Sequence, residues 1–92
     1  MDRDYLLKAL TMMGLTNREA EVFLVIAEKG EASVRDILEL VDVHQPQLYN
    51  ILSSLIRRGF IKVSSSRPIR ELGTREEYLK PLLKLKKLSI NP

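Results

Sequence analysis

Residues 33–73 read SVRDILELVDVHQPQLYNILSSLIRRGFIKVSSSRPIRELG, and this stretch decides the fold. Up to Gly59 its apolar residues recur every three or four positions, which predicts helices. Ser33 caps a first helix of about two turns. A longer helix begins near His44, with Pro46 in its first turn, where a missing N–H costs little. The order is therefore short helix, tight turn, longer helix.

After Gly59 the pattern changes from helical to extended. Residues 60–63 (FIKV) are rich in strand formers, and residues 69–72 (IREL) alternate between apolar and polar. The serine-rich run 64–68, which ends in proline, is typical of a turn. We therefore expect a β-hairpin with its tip near residue 66.

Two helices are predicted before this stretch. The first contains a dense apolar run from Tyr5 to Met13 and ends at Gly14. Because that run is too dense for one face, we expect the helix to be mostly buried or to face a second copy. The second begins at Thr16, which forms a capping box with Glu19.

A last helix is predicted from a second capping box, Thr74 with Glu77, through the leucines up to Leu88. We expect this helix to pair with the first helix in a dimer. The predicted fold class is mainly α with a small β-hairpin, a winged helix-turn-helix with terminal helices used for dimerisation. We expect residues 1–73 to form the winged helix-turn-helix, DNA-binding domain and residues 74–92 to form a C-terminal helix used for dimerisation.

Composition excludes several other classes. The 92 residues include no cysteine and one histidine, with 45% hydrophobic and 29% charged residues, as in an ordinary globular domain. No Gly-rich phosphate loop or zinc spacing is present, so we expect no metal, no cofactor and no enzymatic activity. No apolar run has the length of a membrane span and no secretory signal appears, so we expect a cytoplasmic protein with no membrane partner.

Charge is divided unevenly along the chain. Residues 1–42 carry five basic and nine acidic side chains, whereas residues 43–92 carry ten basic and three acidic ones. Such asymmetry indicates a polyanionic partner for the second half, although a solvated surface can also produce it. With the fold order above, the partner we expect is double-stranded DNA.

The candidate DNA contacts lie on the longer helix and on the hairpin. A helix-turn-helix places the start of its second helix against base edges in the major groove. The outward positions predicted there are Gln45, Gln47, Tyr49, Asn50, Ser53, Ser54 and Arg57. The candidate contacts are His44 at the helix start and, except for Ser54, these outward positions. Near the hairpin tip, Ser65, Arg67 and Arg70 are predicted to contact phosphates or to enter the minor groove.

An ordered set of residues resembles the TrmB-like transcription regulators, a largely archaeal family with an N-terminal winged helix. The set comprises Gly14-Leu15-Thr16, Glu19-Ala20, Val22, Val43 to Tyr49, Leu52, Leu55, Gly59-Phe60-Ile61 and Arg67-Pro68. The resemblance implies a homodimer that recognises a palindromic operator.

This chain departs from that family in two places. Members often carry a Pro-Arg-Ser-Arg-like stretch at the start of the recognition helix, where this chain has His44-Gln45-Pro46-Gln47. The operator preference therefore does not transfer. Larger members also carry a C-terminal sugar-binding domain, and no small-molecule effector is expected for these 92 residues.

The sequence leaves two other functions open. A winged helix can serve as a protein-interaction module, which the neutral recognition helix and the acidic first half favour slightly. It can also be a nonspecific architectural DNA binder that depends on its basic wing and tail.

Overall fold

The computed structural model describes residues 2–64 and 87–91. In chain order its elements are α1 (Arg3–Met12), α2 (Asn17–Lys29), β1 (Ala32–Ser33), α3 (Val34–Leu40), α4 (Gln45–Arg57), β2 (Ile61–Ser64) and β3 (Lys87–Ile90). The predicted winged helix, mainly helical with a small sheet, is confirmed. Within the described residues, no helix is long and apolar enough to cross a membrane.

Helix α1 lies on the surface. Leu7 and Leu10 pack against the core, but none of the helix residues is buried. Tyr5 is 66% exposed, and Met12 is 81% exposed. The expectation of a mostly buried helix is therefore wrong for the single chain, because its dense apolar run extends beyond the face that contacts α2. The alternative, that the exposed side of α1 contacts a second copy of the chain, stays a prediction.

Helix α2 begins and ends as its sequence predicts. The amide of Glu19 donates to the Thr16 hydroxyl at 3.1 Å, and the Thr16 amide donates to the Glu19 carboxylate at 2.9 Å. The helix ends at Gly30, whose φ of +80° favours a residue without Cβ. Local chemistry therefore sets both ends of the helix, a capping box at the start and a glycine at the end.

Helix α3 has a capping box at its start as well. The Ser33 hydroxyl accepts from the Asp36 amide, and the Asp36 carboxylate accepts from the Ser33 amide, at 3.1 and 3.0 Å. Ser33 is also the last residue of β1, so the cap fixes the angle at which the chain turns from strand to helix. A turn of four residues then leads from α3 to α4.

The sheet is antiparallel, with strand order β1-β3-β2. Leu88 lies opposite both Ala32 on β1 and Val63 on β2. The predicted strand after Gly59 is confirmed as β2, but the predicted return strand 69–72 lies outside the described residues. The strand that pairs with β2 here is residues 87–90.

This pairing corrects one prediction. Lys87–Ile90 belong to a strand, and the predicted C-terminal helix is wrong for these four residues. Leu88 is 0% exposed at the centre of the core, so it is not part of a dimer stripe on a helix. The physical reason is the alternation of Lys87-Leu88-Ser89-Ile90, which puts both apolar residues on the core face of the sheet. The rest of the predicted helix, residues 74–86, lies outside the described residues.

The core lies between α2, α4 and the inner face of the sheet. Its fully buried large side chains are Val22, Ile26, Ile37, Leu48, Leu52, Leu55, Ile61 and Leu88. Because α4 packs its inner side against α2 and β2, its outer side and its first turn are left to form a surface.

Candidate nucleic-acid interface

Helix α4 begins at Gln45, directly after His44, and the sequence predicts a start near His44. His44 has extended backbone geometry and is the N-cap, yet its side chain makes no capping hydrogen bond. Pro46 occupies the first turn and contributes no N–H. The amide of Leu48 already donates to the His44 carbonyl at 2.9 Å, so the helix is regular from its start. The side chains of residues 44–47 are exposed, and the His44 side chain does not cap the helix.

Five of the predicted contact residues lie on the surface of this helix. They are exposed, and their side chains are mostly hydrogen-bonding groups rather than charges: His44, Gln45, Gln47, Asn50 and Arg57. We call this set the polar face of α4: Gln47, Asn50 and Arg57 lie on the outer side of the helix, and His44 and Gln45 lie at its exposed start. Amide side chains carry a donor and an acceptor in fixed geometry, which suits base edges better than phosphates.

Tyr49 and Ser53 do not belong to the polar face. Tyr49 is 7% exposed and Ser53 is 3% exposed, so the prediction that they point outward is wrong. They are one helical turn apart and lie beside the apolar stripe of Leu48 and Leu52. The core also covers the side of α4 that carries Tyr49 and Ser53. The buried side of the helix is therefore wider than the positions of its apolar residues indicate.

The Tyr49 hydroxyl nonetheless contacts the polar face. The side-chain amide of Gln45 donates from Nε2 to the Tyr49 hydroxyl at 2.6 Å. The two residues are four apart and therefore lie on the same side of the helix. A buried ring thus holds an exposed amide at the start of α4.

A shallow groove of about 590 Å³ runs between α3 and the start of α4. It is lined by Val34, Arg35, Leu38, Glu39 and Gln45. Arg35 is exposed in the first turn of α3, and it is a candidate contact that sequence reasoning missed. The available signal was its position outside the Val34 and Leu38 stripe, on the helix that crosses the DNA backbone in a helix-turn-helix.

Behind α4, Arg58 joins three parts of the chain. Its guanidinium donates to the Glu19 carboxylate at 3.2 Å and to the Gly14 carbonyl at 3.0 Å. The same group lies 5.2 Å from the centroid of the Phe60 ring. These partners, Glu19 and Gly14, lie 39 and 44 residues away in the sequence, so local spacing does not reveal them.

The environment of Glu19 favours its charged form. Desolvation by burial acts to raise its pKa, but hydrogen bonds from Thr16 and Ser54 and the positive charge of Arg58 together lower the pKa below its ordinary value of 4.5. The Thr16 amide contributes the largest of the lowering effects. Glu19 is thus a capping residue and the partner of Arg58 at once.

The outer side of the sheet carries two lysines. Lys62 on β2 and Lys87 on β3 are exposed, and both lie on the face opposite Leu88. Hydrogen bonds from Ser33 hold the pKa of Asp36 below its ordinary value, and the charges of Lys29 and Lys87 add to this effect. Lys87 therefore lies near the start of α3, opposite Ser33 in the sheet.

The predicted wing contacts Ser65, Arg67 and Arg70 lie outside the described residues. Among residues 2–64 and 87–91, no group of three or more His, Cys, Asp or Glu side chains could hold a metal ion.

These features define a winged helix-turn-helix domain: a short helix, a tight turn, a longer helix with an exposed polar start, and a small antiparallel sheet. The chain belongs to the family described as "Sugar-specific transcriptional regulator TrmB", whose model matches residues 10–74. The family resemblance inferred from the sequence is thereby confirmed.

One curated relative is the "HTH-type sugar sensing transcriptional regulator TrmBL1" of Pyrococcus furiosus (strain ATCC 43587 / DSM 3638 / JCM 8422 / Vc1). It is 28% identical over 68 residues, which is 74% of this chain and 20% of the relative. The chain thus spans about a fifth of the length of that protein. No solved structure matches the chain. Both descriptions are of transcriptional regulators, which are not enzymes.

Proposed function

We propose that this chain binds double-stranded DNA sequence-specifically as part of a transcription regulator, with the start of α4 in the major groove. The observation that carries the proposal is the polar face of α4. It lies on a helix whose inner side is buried against the core. Membership of a family of transcriptional regulators supports the same function.

Base reading is assigned to the amides of the polar face. Gln45 and Gln47 lie in the first turn of α4, and Asn50 follows one turn later. Glutamine and asparagine can each pair with both the N6 amino group and N7 of adenine. We therefore propose that these three residues recognise bases.

Phosphate contact is assigned mainly to residues outside the polar face. Residues 43–92 have seven more basic than acidic side chains, whereas the polar face itself contains one arginine. We propose that Ser65, Arg67 and Arg70 of the wing contact the backbone or the minor groove, and that Arg57 contacts a phosphate. Arg35 is added as a phosphate contact because it borders the groove beside Gln45.

Binding to a random-sequence duplex and to the DNA upstream of its own gene, followed by fluorescence anisotropy over a salt series, tests the proposal. We expect the upstream duplex to bind about 10³-fold more tightly. We also expect both affinities to fall as salt rises, because phosphate contacts release counterions. Equal affinities would favour an architectural DNA binder. Absence of binding at low salt would favour a protein-interaction module.

We also propose that the DNA-binding form is a homodimer that uses the exposed side of α1. Tyr5, Met12 and Met13 are large apolar side chains that remain exposed in the single chain. Burial of this surface against a second copy would remove it from water. We expect a dimer in sedimentation equilibrium at micromolar concentration, and Met12→Lys should shift the mass towards the monomer. A wild-type chain that is monomeric at high micromolar concentration contradicts this proposal.

A further inference from the structure

Two side chains at the start of α4, Gln45 and Tyr49, form a hydrogen-bonded pair. Gln45 is exposed, and its Nε2 lies 2.6 Å from the hydroxyl oxygen of Tyr49. Tyr49 is 7% exposed, so packing holds its ring in place. The hydroxyl oxygen is therefore held in place, and in this structure it accepts a hydrogen bond from the Gln45 amide.

We propose that Tyr49 is a positioning residue that sets Gln45 to read adenine, an inference that rests on the proposed DNA binding. One N–H of Nε2 is used by the Tyr49 hydroxyl. Oε1 and the second N–H remain available. Adenine presents an N6 donor and an N7 acceptor in the major groove, and these complement Oε1 and the second N–H.

Fixing the amide matters because a free glutamine can rotate its amide by half a turn. Guanine presents two acceptors, O6 and N7, so a glutamine in one fixed orientation would place its Oε1 against an acceptor. That arrangement leaves desolvated acceptors unpaired, which is costly. The Tyr49 hydroxyl also holds the amide before DNA arrives, which reduces the ordering cost of binding. Preference for adenine over guanine should therefore depend on both residues.

The test is selection from a library of duplexes with a randomised central segment, so that the binding site emerges from the selection itself. The wild type is compared with Gln45→Ala, Tyr49→Phe and Asn50→Ala. Thr11→Val is the matched hydroxyl deletion, on α1, where the Thr11 hydroxyl donates to the Lys8 carbonyl. Thermal melting of each variant shows that it is folded. The affinity of each variant is then measured for the enriched duplex and for the same duplex with guanine in place of the selected adenine.

We expect the wild type to enrich adenine at a particular position and to prefer it to guanine by about tenfold or more. Gln45→Ala and Tyr49→Phe should both lose most of the preference at that position, whereas Thr11→Val should keep it. Asn50→Ala should keep it there and lose preference elsewhere. Only a role in orienting Gln45 predicts that the loss in Tyr49→Phe falls at the position read by Gln45.

Two results would overturn the inference while leaving DNA binding intact. In the first, Tyr49→Phe keeps the full adenine preference that Gln45→Ala loses. In the second, Gln45→Ala keeps the preference, so that Gln45 is not a base reader. If the wild type enriches no sequence, the proposed sequence-specific function fails together with the inference, and the absence of enrichment in every variant identifies that case.

Discussion

Leu88→Ala is expected to destabilise the domain by about 2–5 kcal/mol, the range for removing a large buried aliphatic side chain. Leu88 is 0% exposed and lies on the central strand, opposite Ala32 and Val63. A cavity there loses contacts with both neighbouring strands. The free energy of unfolding, measured by urea denaturation, should fall accordingly, and so marginal a domain can unfold altogether.

Leu40→Ala is the matched control, because Leu40 is 61% exposed and its truncation should change the free energy of unfolding by no more than about 0.5 kcal/mol. NMR secondary shifts of Cα and Cβ over Lys87–Ile90 provide a second measurement, which does not depend on a variant remaining folded. We expect values typical of a strand. Helical shifts, together with a Leu88→Ala effect as small as that of Leu40→Ala, would contradict the pairing of β3 with β1 and β2.

The helices of the first half could be predicted because their ends depend on local chemistry. Thr16 with Glu19 is a capping box within four residues, and Gly30 supplies the positive φ at the far end of α2. The capping box of Ser33 with Asp36 is equally local, although only its Ser33 part was predicted from the sequence. Signals of this kind need no tertiary structure, so the sequence is sufficient to find them.

The central strand could not be predicted for the opposite reason. The leucines before and at Leu88 recur every three or four residues, which favours a helix over the longer window. The alternation of residues 87–90 covers only four positions. The choice between helix and strand for residues 87–90 depends on whether β1 and β2 leave room for a strand between them. The spacing of apolar residues within the segment does not reveal such long-range pairing.

The candidate interface was predicted in part. The exposed positions Gln47 and Asn50 follow from helical periodicity, since they lie away from the apolar stripe. Gln45 lies on the side of Tyr49 and is exposed because it is in the first turn. Tyr49 and Ser53 lie at the edge of the stripe, where periodicity does not determine burial. A tyrosine and a serine tolerate both environments, and the packing of the neighbouring elements places them inside.

Arg58→Ala is expected to lower the free energy of unfolding by about 1–2 kcal/mol, within the range for hydrogen bonds to charged groups after partial exposure of Arg58 is considered. The change removes the donors to the Glu19 carboxylate and the Gly14 carbonyl, and the cation above Phe60. Arg18→Ala is the matched control. It breaks a pair with Glu21 of the same 3.2 Å length that is exposed at the surface, so it should cost less than about 0.5 kcal/mol.

The pH dependence separates the ion pair from the packing of Arg58. Because the pKa of Glu19 is lowered in the folded chain, its contribution to stability is complete above its ordinary value of 4.5 and is lost as pH falls through the folded value. Arg58→Ala removes one cause of that lowering, so the difference in unfolding free energy between wild type and Arg58→Ala should be largest near neutral pH and shrink in acid. Glu19→Gln should remove most of this pH dependence. A difference between wild type and Arg58→Ala that is constant from neutral pH to below the folded pKa of Glu19 would show that Arg58 acts through Phe60 and Gly14 alone.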